Sequence, residues 1–180
     1  MSNVTYETGM QIALDTKAIT EDGSFEGYAS RFGEVDLGRD AVQVGAFTKS
    51  LAARPAGRVK MLREHNRSEP VGIWTDIAED GTGLRVKGRL ILDTVKGRET
   101  YALMKAGALD TLSIGYRTKA SRLDKTKGVR LLDEVELHEI SIVTFGMLPT
   151  ATVSSVKSNT PNTLRAIADV LNAARASMKG

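Results

Sequence analysis

The side chains best suited to chemistry in this sequence are a histidine and a serine, His65 and Ser113. The chain contains no cysteine, so a nucleophile would be a hydroxyl group, which needs a neighbouring base to become reactive. His65 follows the strand-like run 59–64 and precedes the polar residues 66–68, which predicts a position at a strand end facing a loop. Because the pKa of imidazole is ordinarily about 6.5, His65 is a candidate general base near neutral pH.

Ser113 is the candidate nucleophile because its strand face is unusually small. Alternation along residues 111–116 predicts that one face carries the large residues and the other the small ones, namely Leu112, Ile114 and Tyr116 against Thr111, Ser113 and Gly115. We expect Gly115 to let another chain come close beside the hydroxyl, as a peptide substrate must. A strand serine becomes nucleophilic only beside a base, so this hypothesis depends on His65.

Two residues compete for the third role, which is to orient the base. Strand alternation over residues 134–144 predicts that Glu139 shares a face with Leu137, Ser141 and Val143, and that His138 shares the other face with Ile140 and Ile142. A carboxylate can hold an imidazole in the required tautomer and stabilise its cationic form. His138 can serve instead by accepting a hydrogen bond, and the residues alone leave both options open.

The same region suggests a rival, a catalytic zinc site. Imidazole and carboxylate ligands would come from Glu64, His65, His138 and Glu139. Neither an HExxH helix motif nor a GxxxxGK[ST] phosphate-binding loop occurs in the sequence, and both histidines fall on predicted strands. The sequence therefore favours chemistry without a metal or other cofactor.

Short strands dominate the predicted body. Hydrophobic content of 41% and charged content of 26% are typical of a globular protein. Alternation and turn signals predict strands over residues 11–14, 25–32, 59–64, 71–77, 84–92, 112–118 and 129–144, and helices over 45–53 and 95–106. A hairpin is expected at Asp80–Gly81. Sequential strands with inserted helices indicate the α+β class, built on an antiparallel sheet or barrel.

The composition changes after Pro149, which divides the chain into a body (residues 1–152), a linker (153–160) and an amphipathic C-terminal helix (161–180). The helix either packs on the body or docks on a partner. The tail has more cations than anions but no aromatic residue, which favours an acidic protein surface over nucleic acid. No signal-like or membrane-spanning segment is recognised, so a cytoplasmic location is expected.

Four stretches in order carry a resemblance to a known family: FEGYAS at 25–30, EHN at 64–66, LSIGY at 112–116 and EISIV at 139–143. Over residues 23–152 the chain resembles the prohead maturation proteases of tailed phages. The resemblance implies a fold like the herpesvirus assemblins, a mainly antiparallel β-barrel wrapped by helices. It implies a serine endopeptidase with His65 as base, Ser113 as nucleophile and no cofactor.

The resemblance also bears on the remaining site residues. The EIS motif points to Glu139 as third member, whereas the related assemblins use a second histidine, which would favour His138; we take Glu139. The family commonly continues into a Phe-Pro-Ala-Asn-like turn, where this chain has FGMLP at 145–149. The backbone N–H groups of Gly146 and Met147 are the expected oxyanion donors.

Enzymes of this family work inside the procapsid, where they cut scaffold or capsid-protein extensions and themselves. The resemblance thus implies the major capsid protein or a scaffold protein as substrate, action inside the phage procapsid in the host cytoplasm, and self-association. No nucleic-acid or membrane partner is expected either, because the tail has no aromatic residue and no segment reaches the length of a membrane span. The alternative hypothesis is a non-enzymatic module that binds capsid or scaffold protein on a protease-like fold, using the basic tail.

Overall fold

In a computed structural model of the chain, residues 7–14 and 19–145 are described. Their strands are β1 (Glu7–Ala13), β2 (Ser24–Arg31), β3 (Asp40–Val42), β4 (Lys60–Arg63), β5 (Asn66–Glu79), β6 (Gly83–Leu90), β7 (Thr111–Asp124) and β8 (Val129–Val143). The α-helices of this part are α1 (Thr48–Ala53) and α2 (Val95–Lys105), and a 3₁₀ turn spans Ala56–Arg58. The predicted linker and tail helix, as well as Gly146 and Met147, lie outside the described residues.

Each of the seven predicted strands overlaps an observed one, and the predicted hairpin at Asp80–Gly81 joins β5 to β6. The strand that the sequence did not predict is β3, which has only three residues and so shows no alternation. Helix α2 begins where predicted, because the Thr94 hydroxyl accepts a hydrogen bond from Gly97 N at 3.0 Å. Helix α1 begins at Thr48 rather than at Gly45, since Gly45 has a φ of +86°.

One sheet contains all the strands, and it is mainly antiparallel as expected. The hydrogen-bonded order is β1-β7-β8-β4-β5-β6-β2, and β3 pairs with β8 beside that path. The pairings of β8 with β3 and β4 are parallel. At the ends of the sheet, a Cβ on Gly27 of β2 would lie 2.8 Å from Leu14, just after β1. The sheet is therefore curled into a half-barrel, with few helices beside it.

The long hairpin of β7 and β8 supplies much of the core, but its pairing is irregular. The register shifts at three places, between Gly115 and Tyr116, Thr118 and Ala120, and Ala120 and Ser121. Such bulges bend a strand and increase its twist, which curls the sheet. Leu112, Ile114 and Tyr116 are all in the core, as alternation on β7 predicts. No helix of the described residues is long and apolar enough to cross a membrane.

Candidate active site

Four side chains converge at one end of the β7–β8 hairpin. His65 Nε2 lies 2.9 Å from Ser113 Oγ, and His65 Nδ1 lies 2.6 Å from Glu139 Oε1. Ser141 Oγ donates to the other carboxylate oxygen of Glu139 at 2.6 Å. The structure thus brings together the three residues that the sequence singled out, and it adds Ser141. We call these four residues the triad cluster.

The strand β7 places Ser113 on the small-residue face that alternation predicts. Ser113 on β7 pairs with Ser141 on β8. Ser113 Oγ contacts the imidazole, whereas Ser141 Oγ accepts from the backbone N–H of His65. Ser113 and Ser141 are fully buried, whereas 26% of the His65 side chain is exposed. The solvent-facing side of the cluster is therefore the imidazole.

Gly115 has a different role from the one expected. The sequence suggested that its missing side chain leaves room for a substrate. A Cβ at Gly115 would instead lie 2.0 Å from Glu139 Oε1, so the carboxylate itself fills that space. A contact below 3.0 Å requires atoms to move, and any side chain at position 115 would displace the oxygen that contacts His65.

His65 lies in a two-residue turn between β4 and β5. Glu64 and His65 have φ values of 53° and 56°, the left-handed conformation that the favoured two-residue hairpin turn requires at both positions. This conformation is uncommon for residues other than glycine and costs about 1 to 3 kcal/mol each. The sequence predicts His65 at a strand end facing a loop, and the structure has it in the turn that directly follows β4.

Contacts with β8 hold this turn in place. Glu64 N donates to Ile142 O at 3.0 Å, and the Glu64 carboxylate accepts from Thr144 N at 2.7 Å. The backbone N–H of His65 donates to Ser141 Oγ at 3.2 Å. Ser141 therefore contacts both the backbone of the histidine and the carboxylate that its ring binds.

Glu139 shares its strand face with Ser141 by simple alternation, and a bulge in β8 lies directly before it. Gly115 pairs with Glu139 but Tyr116 pairs with Leu137, which leaves His138 as the extra residue. The predicted faces are therefore wrong on the N-terminal side of Glu139, whereas Glu139 and Ser141 share a face as predicted. Leu137 lies in the core with Ile140 and Ile142 rather than on the face of Glu139, and His138 and Glu139 line one cavity together.

The hydrogen bonds of the cluster define its proton positions. An ionised carboxylate only accepts, so the hydrogen bond at 2.6 Å places the proton of His65 on Nδ1. Nε2 then presents its lone pair to the Ser113 hydroxyl. A base 2.9 Å from a hydroxyl is within the reach that activation of a nucleophile needs.

His138 has a different set of contacts. Arg54 Nη1 lies 3.0 Å from His138 Nδ1, and because arginine only donates, His138 must accept there as a neutral ring. Burial lowers the pKa of His138, and the nearby charge of Arg54 lowers it further. Of the two candidates for the third role, Glu139 contacts His65, whereas His138 contacts Arg54.

The four side chains weighed as zinc ligands do not meet at one point. The Glu64 carboxylate accepts from Thr144, while His138 contacts Arg54. Within residues 7–14 and 19–145, no group of three or more histidine, aspartate or glutamate side chains could hold a metal ion.

Ser141 is the member of the triad cluster to which the sequence assigned no role. Its spacing of two from Glu139 places both side chains on one strand face, and this was the available signal. The spacing cannot show that a hydroxyl in that position also reaches the backbone of His65, 76 positions away in the chain.

A serine hydroxyl, an imidazole and a carboxylate linked in this order define the class of serine hydrolases. The family model of the caudovirus prohead serine proteases matches residues 12–166, and the chain belongs to this family. It is 32% identical over 154 residues to the prohead protease of Enterobacteria phage HK97, covering 84% of this chain and 66% of that protein.

A second relative is the prohead protease of Escherichia phage T5, 26% identical over 98 residues, which covers 54% of this chain and 46% of that protein. The chain thus spans 66% and 46% of the lengths of these two relatives. Among solved structures, the bacteriophage T4 capsid assembly protease superposes with a TM-score of 0.58 at 15% identity, covering 78% of this chain and 96% of that one. That likeness supports the mixed α+β protease fold.

Proposed function

We propose that this chain is a prohead maturation endopeptidase in which Ser113 is the nucleophile, His65 the general base and Glu139 the residue that orients the base. The observation that carries the proposal is the position of the imidazole, 2.9 Å from the Ser113 hydroxyl and 2.6 Å from the Glu139 carboxylate. Family membership supports it, because the family is one of serine proteases.

In the proposed reaction, Ser113 Oγ attacks the carbonyl carbon of a peptide bond while His65 Nε2 takes the hydroxyl proton. Glu139 stabilises the imidazolium that forms, and Ser141 holds Glu139 by donating to its other oxygen. The imidazolium then protonates the leaving amine, which frees the first product and leaves an acyl-enzyme. Water, deprotonated by His65, hydrolyses the ester and regenerates Ser113.

The wider assignment follows the family. The proposed substrates are the major capsid protein or a scaffold protein, and the chain itself, inside the phage procapsid in the host cytoplasm. The names of the relatives support this setting, since they are prohead proteases and a capsid assembly protease. Homo-oligomerisation, with neither nucleic acid nor membrane as partner, remains part of the proposal.

We also retain four finer structural proposals. The body comprises residues 1–152 on an assemblin-like barrel, residues 153–160 form a linker, and residues 161–180 form a helical tail. The backbone N–H groups of Gly146 and Met147 bind the oxyanion. The described body supports the first of these, since its sheet is curled and mainly antiparallel.

A serine-reactive phosphonate tests the proposal on the purified chain. We expect one adduct, on Ser113 by peptide mapping, that is lost in Ser113→Ala and His65→Ala. Ser121→Ala is the matched control, because Ser121 is an exposed serine on the same strand, and it keeps the adduct.

The same variants test the substrates. Co-expression with the phage capsid protein should give shortened capsid protein and a shortened protease by intact mass with the wild type, and neither with Ser113→Ala. Labelling of Ser113→Ala at the wild-type rate, or processing by it, would exclude Ser113 as nucleophile. Absence of labelling together with capsid binding would favour the non-enzymatic module instead.

A further inference from the structure

A basic cavity of about 270 Å³ opens directly beside the triad cluster. Glu139 forms part of its wall, and four cationic side chains line it, Arg54, Arg58, Lys60 and Arg67. An adjoining depression continues the same surface and shares three of these four cations. We call this feature the basic cavity.

The basic cavity lies within reach of a peptide bound at Ser113. Leu62 lines the cavity, and it pairs with Ser141, which pairs with Ser113 on the next strand. Neighbouring strands are about 4.8 Å apart, so two strand spacings separate Leu62 from the nucleophile by roughly 10 Å. An extended peptide advances about 3.3 Å per residue, so a side chain about three residues from the scissile bond can enter the cavity.

The acidic groups around the basic cavity already have partners, one of which, Arg54, itself lines the cavity. The two oxygens of Glu139 bind His65 and Ser141. Glu136 lies 2.8 Å from Lys119 and 3.5 Å from Arg54, and the hydrogen bond from Lys119 lowers the pKa of Glu136 despite the opposing effect of partial burial.

The cations are less completely neutralised. Within the part of the chain that the structure describes, neither Arg58 nor Lys60 forms an ion pair. The surface beside the site therefore carries an excess of positive charge that an anionic group can neutralise.

The cavity also contains a guanidinium that is already oriented. His138 accepts a hydrogen bond from Arg54 Nη1 at 3.0 Å, and Glu136 lies near Arg54 Nη2 at 3.5 Å. Both contacts restrict the rotation of this long side chain before any ligand binds. Because a planar guanidinium matches the two oxygens of a carboxylate, a partly fixed arginine suits recognition of that group.

We propose that the basic cavity is a substrate subsite that binds an aspartate or glutamate side chain within about three residues of the scissile bond. The inference rests on the proposed function, since it concerns the peptide that Ser113 attacks. A carboxylate fits better than a nucleic-acid backbone, because Glu139 and Glu136 place negative charge next to the cations and would repel a continuous row of phosphates.

Cleavage of a synthetic library of short peptides with balanced composition tests the subsite. Products of the purified full-length chain are identified by mass spectrometry. We expect Asp and Glu to be enriched at one fixed position near the cleaved bond, about tenfold or more, as for loss of a charge-assisted hydrogen bond. Arg58→Glu should remove this enrichment and favour Lys and Arg at the same position, and Lys60→Gln should weaken it.

Lys125→Glu is the matched control, because Lys125 is an exposed cation in the turn between β7 and β8, far along the hairpin from the cavity, and it should keep the wild-type preference. Cleavage by the wild type without an acidic preference overturns the subsite alone. An acidic preference that stays the same in Arg58→Glu and Lys60→Gln also overturns the subsite. The same holds if the wild type binds a short DNA strand and these variants lose that binding but keep the wild-type cleavage preference. If the wild type cleaves no library peptide, the endopeptidase proposal fails, and the subsite falls with it.

Discussion

Two polar clusters lie along the same strand pair, and they differ in the donors that hold their carboxylates. The triad cluster is at one end of β7 and β8. Towards the other end, Arg130 on β8 binds Asp40 on β3 through two nitrogens and Glu7 on β1 at 2.6 Å, while the Tyr116 hydroxyl lies 3.4 Å from Asp40. We call this second group the arginine cluster.

Both clusters hold a carboxylate between several donors, but their donors differ in how they titrate. The hydrogen bond with Asp40 raises the already high pKa of Arg130, and burial raises that of Tyr116. These donors therefore keep their protons at every physiological pH, so the arginine cluster only ties β1 and β3 to the central hairpin. In the triad cluster an imidazole stands in the equivalent place, and the proposed mechanism uses it as the general base. The two clusters thus differ in the type of donor, an imidazole in one and a guanidinium with a phenol in the other, rather than in the burial of a carboxylate.

The largest expected effect comes from changing the carboxylate of the triad cluster. Glu139→Gln should lower the rate of peptide cleavage by about 10³-fold or more, since an amide that donates to Nδ1 stabilises the wrong imidazole tautomer. Steady-state cleavage assays at constant pH measure it. His138→Gln is the matched control on the adjacent residue, because glutamine can still accept from Arg54, and it should lower the rate far less. The reverse order would make His138 the third member.

Gly115→Ala should have the next largest effect, because it disturbs the carboxylate without removing it. The added methyl group would lie 2.0 Å from Glu139 Oε1, so we expect the cleavage rate to fall by about 10²-fold. The free energy of unfolding should fall by about 1 to 3 kcal/mol, as for other overpacked sites.

Gly81→Ala serves as control for that substitution. A Cβ at Gly81 meets nothing within 4 Å, so urea denaturation and cleavage assays should give nearly wild-type values. If Gly115→Ala kept full activity, the present position of the Glu139 carboxylate would not be required for cleavage.

The arginine cluster should respond in the opposite way, with lower stability and unchanged chemistry. Arg130→Ala leaves Asp40 largely buried without its cation and should lower the free energy of unfolding by about 2 to 3 kcal/mol. The loss is smaller than for a fully buried pair because 41% of the Arg130 side chain is exposed. Cleavage per folded molecule should not change.

Arg122→Ala is the comparison for that measurement. Arg122 forms an exposed ion pair with Asp133, and its loss should change the free energy of unfolding by less than about 1 kcal/mol. Loss of cleavage in folded Arg130→Ala would show that the two clusters are coupled through the hairpin.

The sequence predicted much of the fold because most strands obey simple alternation. Residues 111–116 of β7 contain no extra residue, since the one opposite Gly115 and Tyr116 lies on β8, and the predicted faces of β7 are correct there. On β8 the extra residue at His138 shifts the alternation by one position, and bulges leave no mark in composition. Alternation places Glu139 on the face of Ser141, but it could not show that the turn carrying His65 brings the imidazole within 2.6 Å of that carboxylate.

Features that combine residues from distant segments could not be predicted from the sequence for a related reason. The basic cavity combines residues from the 3₁₀ turn, β4, the start of β5 and β8, and no spacing in the sequence links them. Strand β3 is three residues long, too short for any period to appear. What periodicity can predict is the element and its faces, whereas pairing between elements depends on the register of the whole sheet.

The turn at Glu64 and His65 constrains how this region can evolve. A two-residue loop with both residues left-handed fixes the number of positions between Arg63 and Asn66, which pair directly. An insertion would produce a longer loop of another geometry and carry the imidazole away from Ser113. We therefore expect the length of this loop to be the same in relatives that keep the same chemistry. The residue at position 64 can vary where another contact replaces the hydrogen bond between Glu64 and Thr144.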